Sequence, residues 1–90
     1  MAKTIHKWVL TRAELQRIEM PAKTELLTVQ RQGDKICLWG IVDLLQPPVH
    51  RSIMMVGTGW GPYPDHVLNH YIGTVQEGPL VWHFFSDGGL

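Results

Sequence analysis

Cysteine is almost missing from this sequence of 90 residues, in which Cys37 is the only one. A lone cysteine excludes an internal disulfide framework and a zinc site built from several thiolates. Disulfide-free chains are typical of reducing compartments. The sequence therefore predicts a protein of the cytoplasm.

An excess of charge of one sign is also missing, because eight Lys and Arg residues balance eight Asp and Glu residues. Proteins that follow a nucleic-acid backbone usually carry a basic stripe. The basic residues near the N-terminus are interspersed with glutamates, which disfavours nucleic-acid binding through Lys3, Lys7, Arg12 and Arg17. A net charge of zero weakens colloidal repulsion. We therefore expect a homo-oligomer.

Long hydrophobic runs are missing as well. No apolar run approaches the roughly 20 residues of a membrane-spanning helix, and the opening "MAKTIHKWVL" lacks the apolar segment of a signal peptide. Hydrophobic residues nevertheless make up 44% of the chain and charged residues 18%, which is sufficient for a packed core. We expect one soluble domain over residues 1–90 and no membrane partner.

Turn-forming residues, by contrast, are frequent and recur roughly every ten residues, a spacing typical of short strands. They stand at Pro21, Gly33-Asp34, Pro47-Pro48, residues 57–64 and Gly78-Pro79. The segments between them are mostly rich in β-branched and aromatic residues. The pattern predicts a mostly-β fold, either a small antiparallel sandwich or a partly open barrel. It has about six or seven strands and at most one or two short helical turns.

The same pattern also predicts local features of the fold. Short connections at Gly33-Asp34 and at residues 77–79 predict two hairpins, and residues 35–42 are apolar at both alternating sets of positions, as in a strand covered on both faces. Residues 11–20 fit either a short helix, since Thr11 and Glu14 have capping-box spacing, or a β-strand. A short helical turn is expected after Pro64.

The stretch "GTGWGPYPDH", residues 57–66, is the most unusual segment. It matches neither the Walker A loop nor the dinucleotide-binding glycine pattern. Its backbone N–H groups can still face an anion, its aromatic rings can stack on a base, and nearby basic residues can contact phosphate. The candidate binding residues are His50, Arg51, Gly57, Thr58, Gly59, Trp60, Gly61 and Tyr63. The alternatives are contact with a partner protein and an exposed loop whose aromatics pack on their own sheet.

Catalytic and metal-binding patterns are weak. His66 and His70 have the spacing of a helical metal site, but Pro64 argues against a long helix there. His83 is expected to be partly buried or at an interface, and Cys37 to be a small core residue. We therefore predict a protein that is not an enzyme and holds no metal or cofactor.

Tryptophan and methionine are abundant, with four of each. Four indoles cannot all be central in so small a core, and these residue types are enriched where proteins meet. Part of this surface is expected to contact another chain, although burial on both faces of a sheet explains the same composition.

The strings "ICLWGIVD", "GTG", "YIGTVQ" and "LVWHFF", at residues 36–43, 57–59, 71–76 and 80–85, occur in a distinctive order, and "KTIHKWVL" and "IEMP" precede them. In these motifs the chain resembles a family of small uncharacterised proteins encoded by tailed bacteriophages and prophages. The resemblance spans nearly the whole chain. It implies a protein that works in the cytoplasm of a host bacterium.

Together these features lead to one functional expectation, a phage-encoded, non-enzymatic binding protein that interferes with a host process such as antiviral defence. Its target is either a host protein or a nucleotide signal that it sequesters. The alternative is a small structural or assembly component of the virion, which purified particles would contain. Weak nucleic-acid binding is a further alternative, which a mobility-shift assay at two salt concentrations tests.

Overall fold

In a computed structural model, which describes residues 2–87, the chain forms seven antiparallel strands and one 3-10 turn. The predicted mostly-β fold is therefore confirmed. Within the described residues, no helix has the length and apolar character needed to cross a bilayer. The strands are β1 Lys3–Leu10, β2 Leu15–Pro21, β3 Glu25–Gln32, β4 Lys35–Asp43, β5 Pro48–Gly57, β6 Tyr71–Glu77 and β7 Leu80–Ser86, and the 3-10 turn is Asp65–Leu68.

The strands form two open sheets, one of three strands in the order β1-β4-β3 and one of four in the order β2-β5-β7-β6. Both predicted hairpins are confirmed, since β3 pairs with β4 and β6 pairs with β7, each in antiparallel register. The short helical turn expected after Pro64 is also present as Asp65–Leu68. Strand β1 forms one edge of the smaller sheet, and β2 forms one edge of the larger sheet.

For residues 11–20, the strand alternative is confirmed. Strand β2 pairs with β5 from Leu15↔Met54 to Pro21↔Pro48, so long-range pairing provides its hydrogen bonds. The side chain of Gln16, within β2, stabilises the turn that precedes the strand by binding the backbone of Thr11. Its Oε1 accepts a bond of 3.0 Å from the Thr11 N–H, and its Nε2 donates to the Thr11 carbonyl over 2.8 Å. Thr11 therefore belongs to a turn rather than to a helix cap.

The core lies between the inner faces of the two sheets, where alternate residues of each strand meet. The largest fully buried side chains are Phe84, Ile36, Leu38, Ile53, Val29, Val42 and Cys37. Each large aliphatic or aromatic side chain of this kind contributes about 1.5–3 kcal/mol by leaving water. Such burial holds together two sheets that share no strand.

Cys37 is fully buried, as expected, although it alternates with the inward-facing Ile36 and Leu38. Beside its Sγ atom, Lys7 Nζ donates a hydrogen bond of 2.7 Å to Gln32 Oε1. The outer surface of β4 is therefore covered at Cys37. It is only half-buried at Trp39 and Ile41.

The two sheets approach each other closely on the side where β3 faces β6. Gly73 of β6 lies against the backbone of Val29, and a Cβ at Gly73 would lie 2.7 Å from the Val29 carbonyl oxygen. Only glycine permits this approach, because 2.7 Å is far inside the normal contact distance of carbon and oxygen. On the opposite side, β1 and β2 are separated by a groove.

Candidate functional site

The predicted glycine-rich loop forms one wall of a groove of about 280 Å³ at one end of the sandwich. The opposite wall comes from the turn between β6 and β7 and from the first residues of β7. All lining side chains are uncharged, and they are Gly57, Thr58, Trp60, Pro79, Leu80, Val81 and Trp82. Leu80 and Trp60 are exposed to solvent, with 51% and 43% of their surface accessible. The groove therefore offers an apolar, partly aromatic surface.

Two indole rings form the aromatic part of the groove. The rings of Trp60 and Trp82 meet edge to face, with centroids 5.5 Å apart and an interplanar angle of 74°. This is a favoured geometry for aromatic pairs. Trp60 reaches Trp82 by lying over Gly57, where a Cβ would be only 2.6 Å from the Trp60 ring. Gly57, which pairs with Trp82 in the sheet, is thus the residue that lets the two indoles meet.

Hydrogen bonds fix Trp82 to the end of the sandwich. The indole N–H of Trp82 donates to Glu77 Oε1 over 2.9 Å. Glu77 is also the partner of Arg12, whose Nε donates to both carboxylate oxygens at 2.8 and 3.1 Å and whose Nη2 binds Oε2. Arg12 Nη2 further donates to the Asp34 carbonyl over 2.9 Å. We call Arg12, Glu77 and Trp82 the polar tie, because they connect the β1–β2 link, the β3–β4 turn and the groove.

The polar tie shifts the protonation of its members. The hydrogen bonds from Arg12, followed by the bond from the Trp82 indole, lower the pKa of Glu77 from 4.5 to about 2. The carboxylate in turn raises the pKa of the Arg12 guanidinium. Both groups are therefore charged at neutral pH. The wall of the groove is attached to an ion pair, which remains until the solution is strongly acidic.

Next to the groove, a chain of hydrogen bonds crosses the outer face of the larger sheet. His83 Nε2 lies 2.7 Å from the Thr58 hydroxyl, and His83 Nδ1 lies 3.0 Å from the Thr74 hydroxyl. The Thr74 hydroxyl lies 2.5 Å from the Tyr71 hydroxyl. Each hydroxyl can donate or accept, so the chain is satisfied by either tautomer of the imidazole. His83 thereby fixes Thr58, the first residue after β5, to β7.

The contact between Thr58 and His83 has the distance of a nucleophile with its general base. In a hydrolase triad, however, a carboxylate orients that base and stabilises its charged form. Here the hydroxyl of Thr74 occupies this place, and a neutral hydroxyl stabilises an imidazolium much less. The arrangement therefore explains how the loop is held in position better than it explains a catalytic function.

The candidate residues of strand β5 lie apart from the groove. Arg51 is buried on the inner face, where its Nη1 donates to the Thr24 carbonyl over 3.0 Å and its Nε lies 3.5 Å from Asp87 Oδ1. His50 lies on the outer face, with Nε2 at 3.7 Å from Glu19 Oε2. At the usual strand rise, Arg51 is about 20 Å from Gly57 along β5. The structure does not bring these two residues to the loop.

The remaining loop candidates continue the chain away from the groove. Gly59 and Gly61 have φ angles of 86° and 101°, in the region that favours glycine. The ring of Tyr63 packs against Gly61, and Tyr63 is not among the residues that line the groove. Of the predicted loop residues, the groove thus combines Gly57, Thr58 and Trp60.

Other candidates from the sequence are dispersed. No group of three metal-ligating side chains occurs within residues 2–87, a range that includes His66 and His70. Of the basic residues near the N-terminus, Arg12 is held in the polar tie, while Lys7 is bonded on the three-stranded sheet and Arg17 is exposed on β2 of the other sheet.

Sequence reasoning missed the residues that complete the site: Arg12, Thr74, Glu77, Leu80, Trp82 and His83. Their partners are distant in sequence, as for Arg12 and Glu77, which are 65 positions apart. One usable signal was the predicted hairpin at residues 77–79, because it places Glu77 and Trp82 on neighbouring strands. Another was the alternation of Arg51 with Ile53 and Met55, which predicts an inward-facing Arg51.

The fold and the groove define a small two-sheet β protein with an apolar cleft at the end of its sandwich. A model of a domain of unknown function, DUF7352, matches residues 1–89. The chain belongs to the DUF7352 family. No curated protein and no solved structure matches it.

Proposed function

We propose that the protein is a phage-encoded, non-enzymatic binding protein that interferes with a process of its bacterial host, and that its groove binds an apolar side chain of a host protein. The phage setting is supported by the sequence motifs at residues 36–43, 57–59, 71–76 and 80–85. Antiviral defence is the host process that this setting favours. The protein would act in the host cytoplasm as a homo-oligomer.

The observation that carries this proposal is the exposed indole of Trp60 held edge to face against Trp82 in an uncharged groove. Tryptophan is enriched among the few residues that provide most of the energy of protein interfaces. Here the ring is already oriented by Gly57, so that little side-chain freedom is lost on binding. A pre-oriented aromatic group beside exposed Leu80 is well suited to receive an apolar anchor.

A host protein is favoured over a nucleotide because of where the charges lie. A nucleotide needs cations for its phosphates, and the two residues predicted for that role, His50 and Arg51, are distant from the loop. The residues lining the groove are uncharged. Arg51 is committed to Thr24 and Asp87 inside the protein.

Photo-crosslinking tests the proposal directly. A benzophenone amino acid at position 80 should crosslink a host protein in bacterial lysate, whereas the same group at position 27, which is similarly exposed on the other sheet, should not. Trp60→Ala should reduce the crosslink about thirtyfold, the loss expected for a hot-spot residue. Tyr63→Ala, in the same loop but outside the groove lining, should retain it.

Equal crosslinking from positions 27 and 80 would contradict the site, as would an unchanged yield from a folded Trp60→Ala variant. Native mass spectrometry of the protein purified from bacteria provides the second measurement. A released ligand with the mass of a nucleotide would replace the protein target with nucleotide sequestration. A monomer mass at every concentration would contradict the homo-oligomer.

A further inference from the structure

Strand β1 is an open edge of the smaller sheet, and none of its residues lines the groove at the 57–63 loop. It pairs with β4 along its whole length, and no strand of the described chain lies on its other side. About half of the backbone N–H and C=O groups of an edge strand point away from its one partner. Its side chains are exposed as well, with 58% of Ile5 and 52% of Val9 accessible. Such an edge is a template for one more strand.

The inner side of this edge opens onto a second groove, which we call the edge groove. Its volume is about 260 Å³, and it separates β1 from β2. His6 and Trp8 of β1 form one wall, with their rings 6.0 Å apart in an edge-to-face arrangement. The remaining lining residues are Glu19, Met20, Pro21, Gln46 and Pro48. A strand added to β1 would direct every second side chain into this groove, whose apolar lining residues are Trp8, Met20, Pro21 and Pro48.

The outer side of the edge has a different pattern, in which lysines alternate with aliphatic residues: Lys3, Ile5, Lys7 and Val9. Lys3 lies opposite Asp43 in the sheet, whereas Lys7 lies opposite Trp39. Within residues 2–87, Lys7 donates a side-chain hydrogen bond to the neutral amide of Gln32. Its charge is therefore available to a carboxylate on an incoming strand.

This charge pattern disfavours a second copy of β1 as the occupant. Antiparallel pairing centred on Lys7 would place two Lys7 side chains opposite each other, and pairing centred on Ile5 would place Lys3 opposite Lys7. Like charges in direct cross-strand positions are destabilising. Pairing centred on His6 would place each Lys7 opposite Ile5, which provides no counter-charge.

We propose that β1 is a docking edge for an extended segment of a partner protein in which acidic and apolar residues alternate. The segment adds to the three-stranded sheet as a fourth strand. Its acidic residues lie on the outer face, with one beside Lys7, and its apolar residues enter the edge groove beside Trp8 and Pro48. Backbone hydrogen bonds provide the attachment, and the alternation provides the selectivity.

The probe for this proposal is the capped peptide EVEVEVE, with KVKVKVK and EEEEVVV as comparison peptides. Amide hydrogen exchange and chemical shifts of the full chain, measured by NMR, report where each peptide binds. EVEVEVE should slow exchange selectively in residues 3–10, and more at low salt than at high salt. The two comparison peptides should leave β1 unprotected.

Charge reversal at matched positions sharpens the test. Lys7→Glu should weaken binding of EVEVEVE about tenfold, as expected when an exposed ion pair becomes a like-charge pair, and should make KVKVKVK the better ligand. Lys35→Glu makes the same change of charge at the start of β4 and should leave the affinity unchanged. Urea unfolding of both variants verifies that they are folded.

Three results would overturn the proposal. The first is an absence of protection in residues 3–10 at millimolar EVEVEVE, and the second is equal binding of all three peptides. The third is protection of β1 that increases with protein concentration in peptide-free samples, because a second copy would then be the occupant.

Discussion

The two long sides of the sandwich are built in different ways. On the side of β3 and β6, the sheets touch at backbone level, with Gly73 against Val29. On the side of β1 and β2, the strands are connected by only four residues, 11–14, and yet they diverge around the edge groove. Proximity in sequence therefore does not decide which side closes. The two sides differ in the residues that face each other, since Gly73 permits backbone contact with Val29, whereas Trp8 and Met20 line the groove between β1 and β2.

The open side is secured by polar contacts rather than by close packing. Arg12, in the link between β1 and β2, reaches across the end of the sandwich to Glu77 and to the Asp34 carbonyl. The polar tie is partly exposed, with 44% of the Arg12 side chain accessible, so water and salt weaken it. Loss of contact on the closed side should therefore be more damaging than loss of the polar tie.

The largest effect is expected for Gly73→Ala. The new methyl group would overlap the Val29 backbone, which cannot move without displacing β3, so we expect a loss of about 3 kcal/mol in the free energy of unfolding. Gly78→Ala is the matched control. Its Cβ meets no atom within 4 Å, and only its φ of 58° is unfavourable, which costs about 1 kcal/mol. Urea denaturation measures both values, and equal losses would refute the role of the closed side.

Much of the fold was predictable because it depends on local signals. The turns at Gly33-Asp34 and at residues 77–79 fixed two hairpins, and Pro64 predicted the 3-10 turn. The secondary structure of residues 11–20 could not be predicted from local signals, since the spacing of Thr11 and Glu14 fits a helix cap as well as the segment fits a strand. Their structure is determined by pairing of β2 with β5, a contact between segments more than 25 positions apart.

The candidate site was predictable only in part, for a related reason. The unusual composition of the loop indicated Trp60 as a binding residue, and Trp60 does line the groove. The partner that gives Trp60 its orientation is Trp82, and the register that pairs Trp82 with Gly57 depends on how β5 meets β7. The function predicted for Arg51 was drawn from its proximity in sequence. The structure instead places this side chain on the inner face of the strand.

A smaller effect is expected for Trp82→Phe, which removes one hydrogen bond from the polar tie and keeps an aromatic ring in the groove. We expect a loss of about 1 kcal/mol in the free energy of unfolding. The pKa of Glu77 should rise, because the indole N–H no longer stabilises the carboxylate. NMR titration of the Glu77 side chain measures this change. Trp39→Phe, on the other sheet, should leave the pKa of Glu77 as it is, and an equal rise in both variants would contradict the polar tie.

The smallest effect is expected for the contribution of the ion pair to stability in acid, because 44% of the Arg12 side chain is exposed and water and salt weaken the pair. The pKa of Glu77 is about 2 in the folded chain and 4.5 when unperturbed, so the unfolded chain takes up the proton first as the pH falls. The stabilisation is therefore complete above about pH 4.5 and is lost progressively toward pH 2. Glu77→Gln should have a shallower dependence of unfolding free energy on pH across this window. The difference from the unmodified protein should shrink in 1 M salt, where the Debye length is about 3 Å. An identical slope for both proteins at low salt would mean that Arg12 does not secure the open side.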